Sequence, residues 1–157
     1  MVDTWEKVGN QITMLIGEYT HSIDDKKRLS LPAKFRKEIG KKIVVTKGLE
    51  ACLFVFSKDE WKKVLARLSA LSIGKASSRD FNRFLLAGAV EIEVDAIGRI
   101  LIPDFLKIFA GLKSKVIFAG VGNRIEVWNE DAWQAYKKTV EKEADRLAEK
   151  LGDIGMI

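Results

Sequence analysis

The sequence contains few of the residues that build catalytic and metal centres. Its 157 residues include one cysteine, Cys52, and one histidine, His21. One cysteine excludes a disulfide within the chain, and the two residues are too few ligands for a Cys/His zinc site. The motifs G-x-x-x-x-G-K-[ST], G-x-G-x-x-G and G-x-S-x-G are also missing. We therefore expect a protein that is not an enzyme and that requires no metal or organic cofactor.

The two residues that could carry chemistry have ordinary structural interpretations. His21 shares one face of a predicted strand with Tyr19 and Ile23, which favours a packed histidine. Cys52 precedes an apolar stretch in another predicted strand, so we expect a buried and unreactive thiol.

Long apolar runs are absent as well. The longest, Phe84 to Val90, is far shorter than the roughly 20 residues that cross a bilayer. Residues 1–13 lack the apolar core of a secretory signal, and Met14 is a second candidate for the start of the chain. The composition, 47% hydrophobic and 31% charged, is that of a globular protein. We expect a cytoplasmic protein with no membrane partner.

Positive charge is abundant and clustered. The net charge is +5, and residues 26–42 contain eight Lys or Arg against one acid, Glu38. Clustering of this kind is typical of proteins that bind polyanions. A solvated basic face would give the same pattern, so charge alone leaves both interpretations open.

An internal repeat is the most informative feature. Residues 24–32, DDKKRLSLP, match residues 95–103, DAIGRILIP, and both read Asp-x-x-x-Arg followed by a short strand and proline. With one inserted residue the match continues: residues 43–48 align with 115–120, so that Gly48 corresponds to Gly120, and Trp61 corresponds to Trp133. Each repeat reads as strand, turn, strand, short helix, strand, turn, strand, helix. In the second repeat, residues 115–119 and 124–128 are expected to form the second hairpin, with Gly120 and Gly122 in its turn. The sequence therefore predicts an α+β, β-rich fold built from two similar units.

The first turn of each repeat differs in one residue. Gly98 in the second repeat suits a backbone with positive φ, whereas Lys27 occupies the same place in the first. A lysine tolerates positive φ poorly, so we expect the two turns to differ in type.

Three longer helices are predicted from caps and apolar stripes. Residues 57–60, SKDE, form a capping box before a stripe that contains Trp61. Ser77 begins a second helix, and Asn129 caps a third that carries Trp133. Residues 69–78 are expected to be a flexible part of the linker. The predicted division is 1–13 as an N-terminal extension, 18–61 and 89–133 as the repeats, 62–88 as a helical linker, and 134–157 as a C-terminal helix and tail.

The Asp-x-x-x-Arg pairs have a structural and a functional interpretation. The aspartate can accept backbone N–H bonds within the turn and pair with the arginine. An arginine on a hairpin can also bond guanine O6 and N7 together. Because basic residues surround the first pair, we expect function as well as structure for Arg28, and structure first for Arg99, which Glu91, Glu93 and Asp104 surround. The predicted DNA contacts are Lys26, Lys27, Arg28, Lys34 and Arg36; the predicted structural turn residues are Asp24, Asp95, Gly98 and Arg99.

These residues resemble a known family. The two Asp-x-x-x-Arg motifs, residues 29–36 (LSLPAKFR), residues 79–89 (RDFNRFLLAGA) and the start MLIGEY at 14–19 are similar to the MraZ family. The resemblance implies two AbrB-like swapped-hairpin units that form a double-split β-barrel. It also implies a ring-shaped homo-oligomer, association with the nucleoid, and binding to repeated boxes upstream of the division and cell-wall gene cluster. Lys27, where the family usually has glycine, and residues 1–13 depart from the pattern.

Sequence and resemblance together predict a DNA-binding transcriptional regulator whose partner is double-stranded DNA. A β-ribbon can enter the major groove and read base edges there. The alternative is a structural or protein-binding homo-oligomer whose basic face does not recognise DNA.

Overall fold

The strands of the two repeats interleave in one structure. The computed structural model describes residues 14–157, and the predicted N-terminal extension lies outside them. Repeat 1 forms β1 (Leu15–Ser22), β2 (Arg28–Ser30), α1 (Ala33–Ile39), β3 (Lys42–Lys47), β4 (Leu53–Ser57) and α2 (Lys58–Ser69). After α3 (Ala76–Ala87), repeat 2 forms β5 (Val90–Glu93), β6 (Arg99–Leu101), α4 (Asp104–Phe109), β7 (Lys115–Gly122), β8 (Ile125–Asn129) and α5 (Glu130–Asp153). The fold is therefore α+β and β-rich, as predicted.

The first strand of each repeat pairs with a strand of the other repeat. The larger sheet is antiparallel and has the order β1-β7-β8-β4-β3-β5. In it, β1 pairs with β7 of repeat 2 and β5 pairs with β3 of repeat 1. The second strands, β2 and β6, pair with each other in a separate two-stranded ribbon. Exchanging the repeats reverses the sheet order and leaves the ribbon unchanged, so the chain has an internal pseudo-twofold axis. Among residues 14–157 the sheet is open, with β1 and β5 at its edges.

The strand registers correct the predicted alignment of the repeats. Val45 pairs with Val55 in one hairpin, and Phe118 pairs with Val127 in the other. Val45 therefore corresponds to Phe118, and the predicted match of Gly48 with Gly120 is wrong by one residue. Side-chain alternation fixes the register, and not the identity of the two glycines: Val45 and Phe118 both face the core.

The main core lies between the six-stranded sheet and the ribbon with its two short helices. Leu29 and Ile100 project into it from the ribbon, Phe35 from α1 and Leu106 from α4, and all four are almost completely buried. The sheet contributes a row of inward-facing aliphatic side chains and Phe118. Burial of these apolar surfaces is what fixes the ribbon over the sheet. The other face of the ribbon is left pointing outward.

A second, smaller cluster lies among the aromatic residues of the sheet and α5. Cys52, Ile117 and Trp128 are buried there, with Phe54 and Trp133 packed against them. The predicted caps of α2 and α5 are present: Ser57 Oγ accepts the N–H of Glu60 at 3.1 Å, and Asn129 Oδ1 accepts the N–H of Ala132 at 2.9 Å.

Two predicted boundaries are wrong. The helix expected to begin at Ser77 begins at Ala76, so the segment between α2 and α3 is shorter than the predicted flexible stretch of 69–78. Gly120 and Gly122, expected to form a hairpin turn, lie within β7. The strand continues through them because β1 pairs with it along its whole length, with Gly120 opposite Gly17 and Gly122 opposite Leu15.

Candidate nucleic-acid interface

The β2–β6 ribbon presents a row of polar and apolar side chains on its outer face. In register, Arg28 is opposite Leu101, Leu29 is opposite Ile100, and Ser30 is opposite Arg99. Because side chains alternate along a strand and Leu29 and Ile100 are buried, the other four must point away from the core. The ribbon therefore carries Arg28 and Arg99 on one accessible face, which joins residues that lie 71 positions apart in the sequence.

Each arginine is held by the aspartate that begins its turn. Asp24 Oδ1 accepts the N–H groups of Lys26 and Arg28 at 2.9 and 2.8 Å, and its Oδ2 accepts Arg28 Nε at 3.1 Å. In the second turn Asp95 makes the equivalent bonds, to Ile97 N at 3.0 Å, Arg99 N at 2.8 Å and Arg99 Nε at 2.7 Å. Only Nε of each guanidinium bonds the aspartate, and the two terminal nitrogens of each arginine have no hydrogen-bond partner among the described residues.

The same bonds set the ionisation of the two aspartates. The backbone N–H of Arg28 is the largest influence that lowers the pKa of Asp24, and the Arg28 guanidinium adds to it. The N–H and guanidinium of Arg99 lower the pKa of Asp95 in the same way. Both carboxylates are therefore charged at neutral pH, and each holds its arginine in a fixed direction.

The expectation that the two turns differ in type is wrong. Lys27 adopts a positive φ of 64°, in the same half of the Ramachandran plot as Gly98 at 86°. Lys27 N donates to Asp24 O at 3.0 Å, and Gly98 N donates to Asp95 O at 3.0 Å. The hydrogen bonds that close the turn outweigh the preference of lysine, which is worth about 1–2 kcal/mol. Turn 1 thereby places an exposed lysine where turn 2 has a glycine.

The guanidinium of Arg36 lies against the glycine of turn 2. Its Nε donates to Leu31 O at 3.0 Å, and its guanidinium lies against Gly98 so closely that a Cβ there would overlap Nε and Cζ. Arg36 belongs to α1 of repeat 1, whereas Gly98 belongs to repeat 2. A cation of the first repeat therefore sits beside the turn of the second.

Two of the three acids near Arg99 in the sequence form ion pairs with lysines. Asp104 bonds Lys107 at 3.2 Å. This bond is the largest influence that lowers the pKa of Asp104, and the positive charge of Lys27 adds to it. Glu91 pairs with Lys58 at 3.2 Å, and Glu93 lies opposite Lys42 in the sheet. Glu91 and Asp104 are thus paired with a lysine of repeat 1 and a lysine of repeat 2, and strand exchange places Glu93 opposite a lysine of repeat 1.

The remaining predicted contacts are accessible. Lys26, Lys27, Lys34 and Arg36 are all exposed, the first two in turn 1 and the others in α1, directly after the ribbon. The structure adds Leu101, whose place on the outer face opposite Arg28 was not predicted. An alignment of the repeats indicates its position, because Leu101 corresponds to Ser30, but only the strand pairing shows which residue it faces.

The other candidate groups are structural. His21 packs edge-to-face on Phe118 with ring centroids 5.6 Å apart, and burial lowers its pKa. Cys52 is completely buried, and this burial raises the pKa of its thiol far above the usual range. Glu126 accepts Arg124 Nη2 at 2.8 Å and Trp128 Nε1 at 3.1 Å. Among residues 14–157, no group of three or more His, Cys, Asp or Glu is placed to hold a metal ion.

Comparison with known proteins assigns the chain to a family. The family model described as the MraZ protein matches it twice in succession, over residues 14–84 and 85–152. The chain belongs to the MraZ family. The resemblance seen in the sequence is thus confirmed, and the two matches correspond to the two interleaved repeats.

Relatives with the name "Transcriptional regulator MraZ" are similar along nearly the whole chain. The proteins of Caldanaerobacter subterraneus subsp. tengcongensis and of Thermoanaerobacter sp. strain X514 are each 48% identical to it over 143 residues. That of Acetivibrio thermocellus is 44% identical over the same length. Each alignment covers 91% of this chain and 100% of the relative. These relatives are named as regulators rather than catalysts, and this chain is not an enzyme. In its described part, no helix has the length and apolar character that a membrane span needs.

Proposed function

We propose that this MraZ-family chain is a sequence-specific DNA-binding transcriptional regulator that reads the major groove with its β2–β6 ribbon. The observation that carries the proposal is the outer face of the ribbon, where Arg28 and Arg99 are each anchored through Nε to an aspartate. A two-stranded ribbon fits the major groove, and an arginine whose direction is fixed can bond guanine O6 and N7 together. The name of its relatives supports the same function.

Cations around the ribbon would supply the affinity that does not depend on sequence. Lys26 and Lys27 directly precede Arg28 in turn 1, while Arg36 lies beside turn 2. With Lys34 they would contact phosphates on both sides of the groove and give a salt-dependent affinity. The geometry of the two turns is so similar that we propose a base contact for Arg99 as well as for Arg28, in addition to the structural role of Arg99 with Asp95.

The finer features implied by the family resemblance are also proposals. The exchanged strands and the ribbon across the core support a swapped-hairpin, double-split β-barrel. The open sheet edges β1 and β5, and the exposed Leu147 and Leu151 of α5, support a homo-oligomer, which we propose to be a ring. We further propose a cytoplasmic, nucleoid-associated regulator of repeated boxes upstream of the division and cell-wall genes.

The test is a binding titration on DNA from upstream of the chain's own coding sequence and on a scrambled duplex, at several salt concentrations. The double variant Arg28→Ala/Arg99→Ala is expected to lose the difference between the two duplexes. Arg83→Ala is the matched control, since Arg83 also pairs with an aspartate, at 3.4 Å, but on helix α3. It should bind like the unmodified chain.

Two results would contradict the proposed function. The unmodified chain binding both duplexes equally at every salt concentration would favour the alternative, a structural or protein-binding oligomer. Full specificity in the double variant, with circular dichroism showing it folded, would place the reading surface elsewhere.

A further inference from the structure

The two ends of the ribbon are alike in backbone and different in chemistry. Each end has an arginine held by an aspartate, but Arg28 has Leu101 as its cross-strand neighbour, whereas Arg99 has Ser30. The pseudo-twofold axis relates Leu101 to Ser30, so the same position is apolar at one end and a hydroxyl at the other. Cross-strand neighbours have Cβ atoms about 4.5–5.5 Å apart, so each arginine and its neighbour share one patch of surface.

Leu101 is unusually accessible for a strand leucine. Its exposed fraction is 56%, while Ile100 beside it is 2% exposed and forms part of the core. Its exposure thus follows from the alternation of the strand and not from a loose fold. On an ordinary surface a single exposed leucine has no special meaning. Here it stands on the outer face next to an arginine, where a base edge would lie.

We propose that Leu101 contacts the C5 methyl group of a thymine beside the base that Arg28 contacts, and that it is a specificity determinant of this end of the ribbon. The inference rests on the proposed function of the ribbon. In the major groove the thymine methyl is the apolar feature that distinguishes this base, and apolar side chains recognise it by contact. Ser30 offers a hydroxyl, which bonds to several bases, so the end that carries Arg99 has no such preference for thymine.

The experiment compares thymine with uracil, which lacks only the C5 methyl group. A footprint first locates the bound segment upstream of the chain's own coding sequence. Duplexes with deoxyuridine in place of one thymidine at a time are then titrated with the unmodified chain, Leu101→Ala and Ser30→Ala. Ser30→Ala is the matched control because it removes the hydroxyl group at the position related by the pseudo-twofold axis.

For the unmodified chain and for Ser30→Ala, one thymidine is expected to be sensitive, and its replacement should weaken binding about fourfold, the factor for one buried methyl group. For Leu101→Ala the same replacement should have no effect. The slope of log affinity against log salt should be the same for Leu101→Ala and the unmodified chain, because an apolar contact releases no counterions.

Three results would overturn the inference. The first is that no thymidine in the footprint is sensitive to loss of its methyl group. The second is that the sensitivity persists in Leu101→Ala. The third is that Leu101→Ala changes the oligomeric state seen by light scattering, which would mean that a second copy of the chain covers this leucine. Failure of the proposed function looks different from all three, because the unmodified chain then produces no footprint.

Discussion

The guanidinium of Arg36, in the first repeat, occupies the space that a side chain at Gly98, in the second repeat, would need. Gly98 also has a φ of 86°, a conformation that L side chains rarely adopt. The glycine therefore serves two purposes: it allows the turn and it allows the close approach of Arg36. Lys27, at the equivalent place in turn 1, also has a positive φ.

We expect Gly98→Ala to destabilise the fold more than strain alone would. Gly111→Ala is the matched control, since Gly111 has a φ of 60° but, beyond its chain neighbours, no atom within 4 Å of the place where a Cβ would lie. Strain should cost the control about 1–2 kcal/mol in the free energy of unfolding. The cost at Gly98 should be clearly larger because Arg36 is displaced, and urea denaturation measures both. Equal costs would mean that Arg36 moves aside without loss.

We expect Lys27→Gly to stabilise the fold and weaken DNA binding. Glycine relieves the positive φ of 64°, at an entropic cost that leaves a net gain of about 0.5–1 kcal/mol. The loss of one phosphate contact should reduce the salt slope by about one unit. Lys26→Gly removes the same charge one residue earlier, at a position without positive φ, and should weaken binding without the gain in stability. A Lys27→Gly variant with an unchanged salt slope would show that this lysine does not contact DNA.

We expect Arg28→Ala and Arg99→Ala to behave alike. Their side chains are 28% and 26% exposed and make the same bonds to aspartate, so each substitution should cost only about 0–1 kcal/mol of folding stability. Each should lower specific binding by about 1–3 kcal/mol per bound chain if it removes a bidentate guanine contact. Titrations on specific and scrambled duplexes, with urea denaturation in parallel, separate the two effects. If Arg28→Ala alone loses specificity while Arg99→Ala mainly destabilises, the role predicted for Arg99 from local charge is correct.

Both turns should lose stability in acid. The pKa values of Asp24 and Asp95 are lowered in the folded chain by backbone N–H groups and by arginine. Their stabilising effect is therefore complete above the ordinary carboxyl pKa of about 3.9 and disappears as the pH falls through the lower folded values. The double variant Asp24→Asn/Asp95→Asn should show a shallower fall of urea midpoint from about pH 5 to about pH 2. Asp25→Asn, an exposed residue of turn 1, should retain the steep fall; a steep fall in the double variant would contradict this origin of acid sensitivity.

The local features of this protein can be predicted from its amino acids alone. The repeated Asp-x-x-x-Arg motif indicates a turn in which aspartate holds arginine, and the hydrogen bonds of Asp24 and Asp95 have that form. Apolar alternation and caps indicate the strands and the starts of α2 and α5, because these depend on neighbours within a few residues. The family could also be recognised, since its motifs are short and local.

The pairing of strands between the two repeats is visible only in the folded chain and not in local sequence patterns. Strand exchange pairs β1 with β7 and β5 with β3, so the halves of the sequence are not halves of the molecule. Charged groups that are distant in the sequence therefore meet neighbours in the other repeat: Glu91 pairs with Lys58, and Arg36 approaches Gly98, each across a long stretch of chain. The outer face of the ribbon likewise follows from the pairing of β2 with β6. Register between distant strands depends on which faces bury apolar surface together, and no local pattern in the sequence specifies the partner.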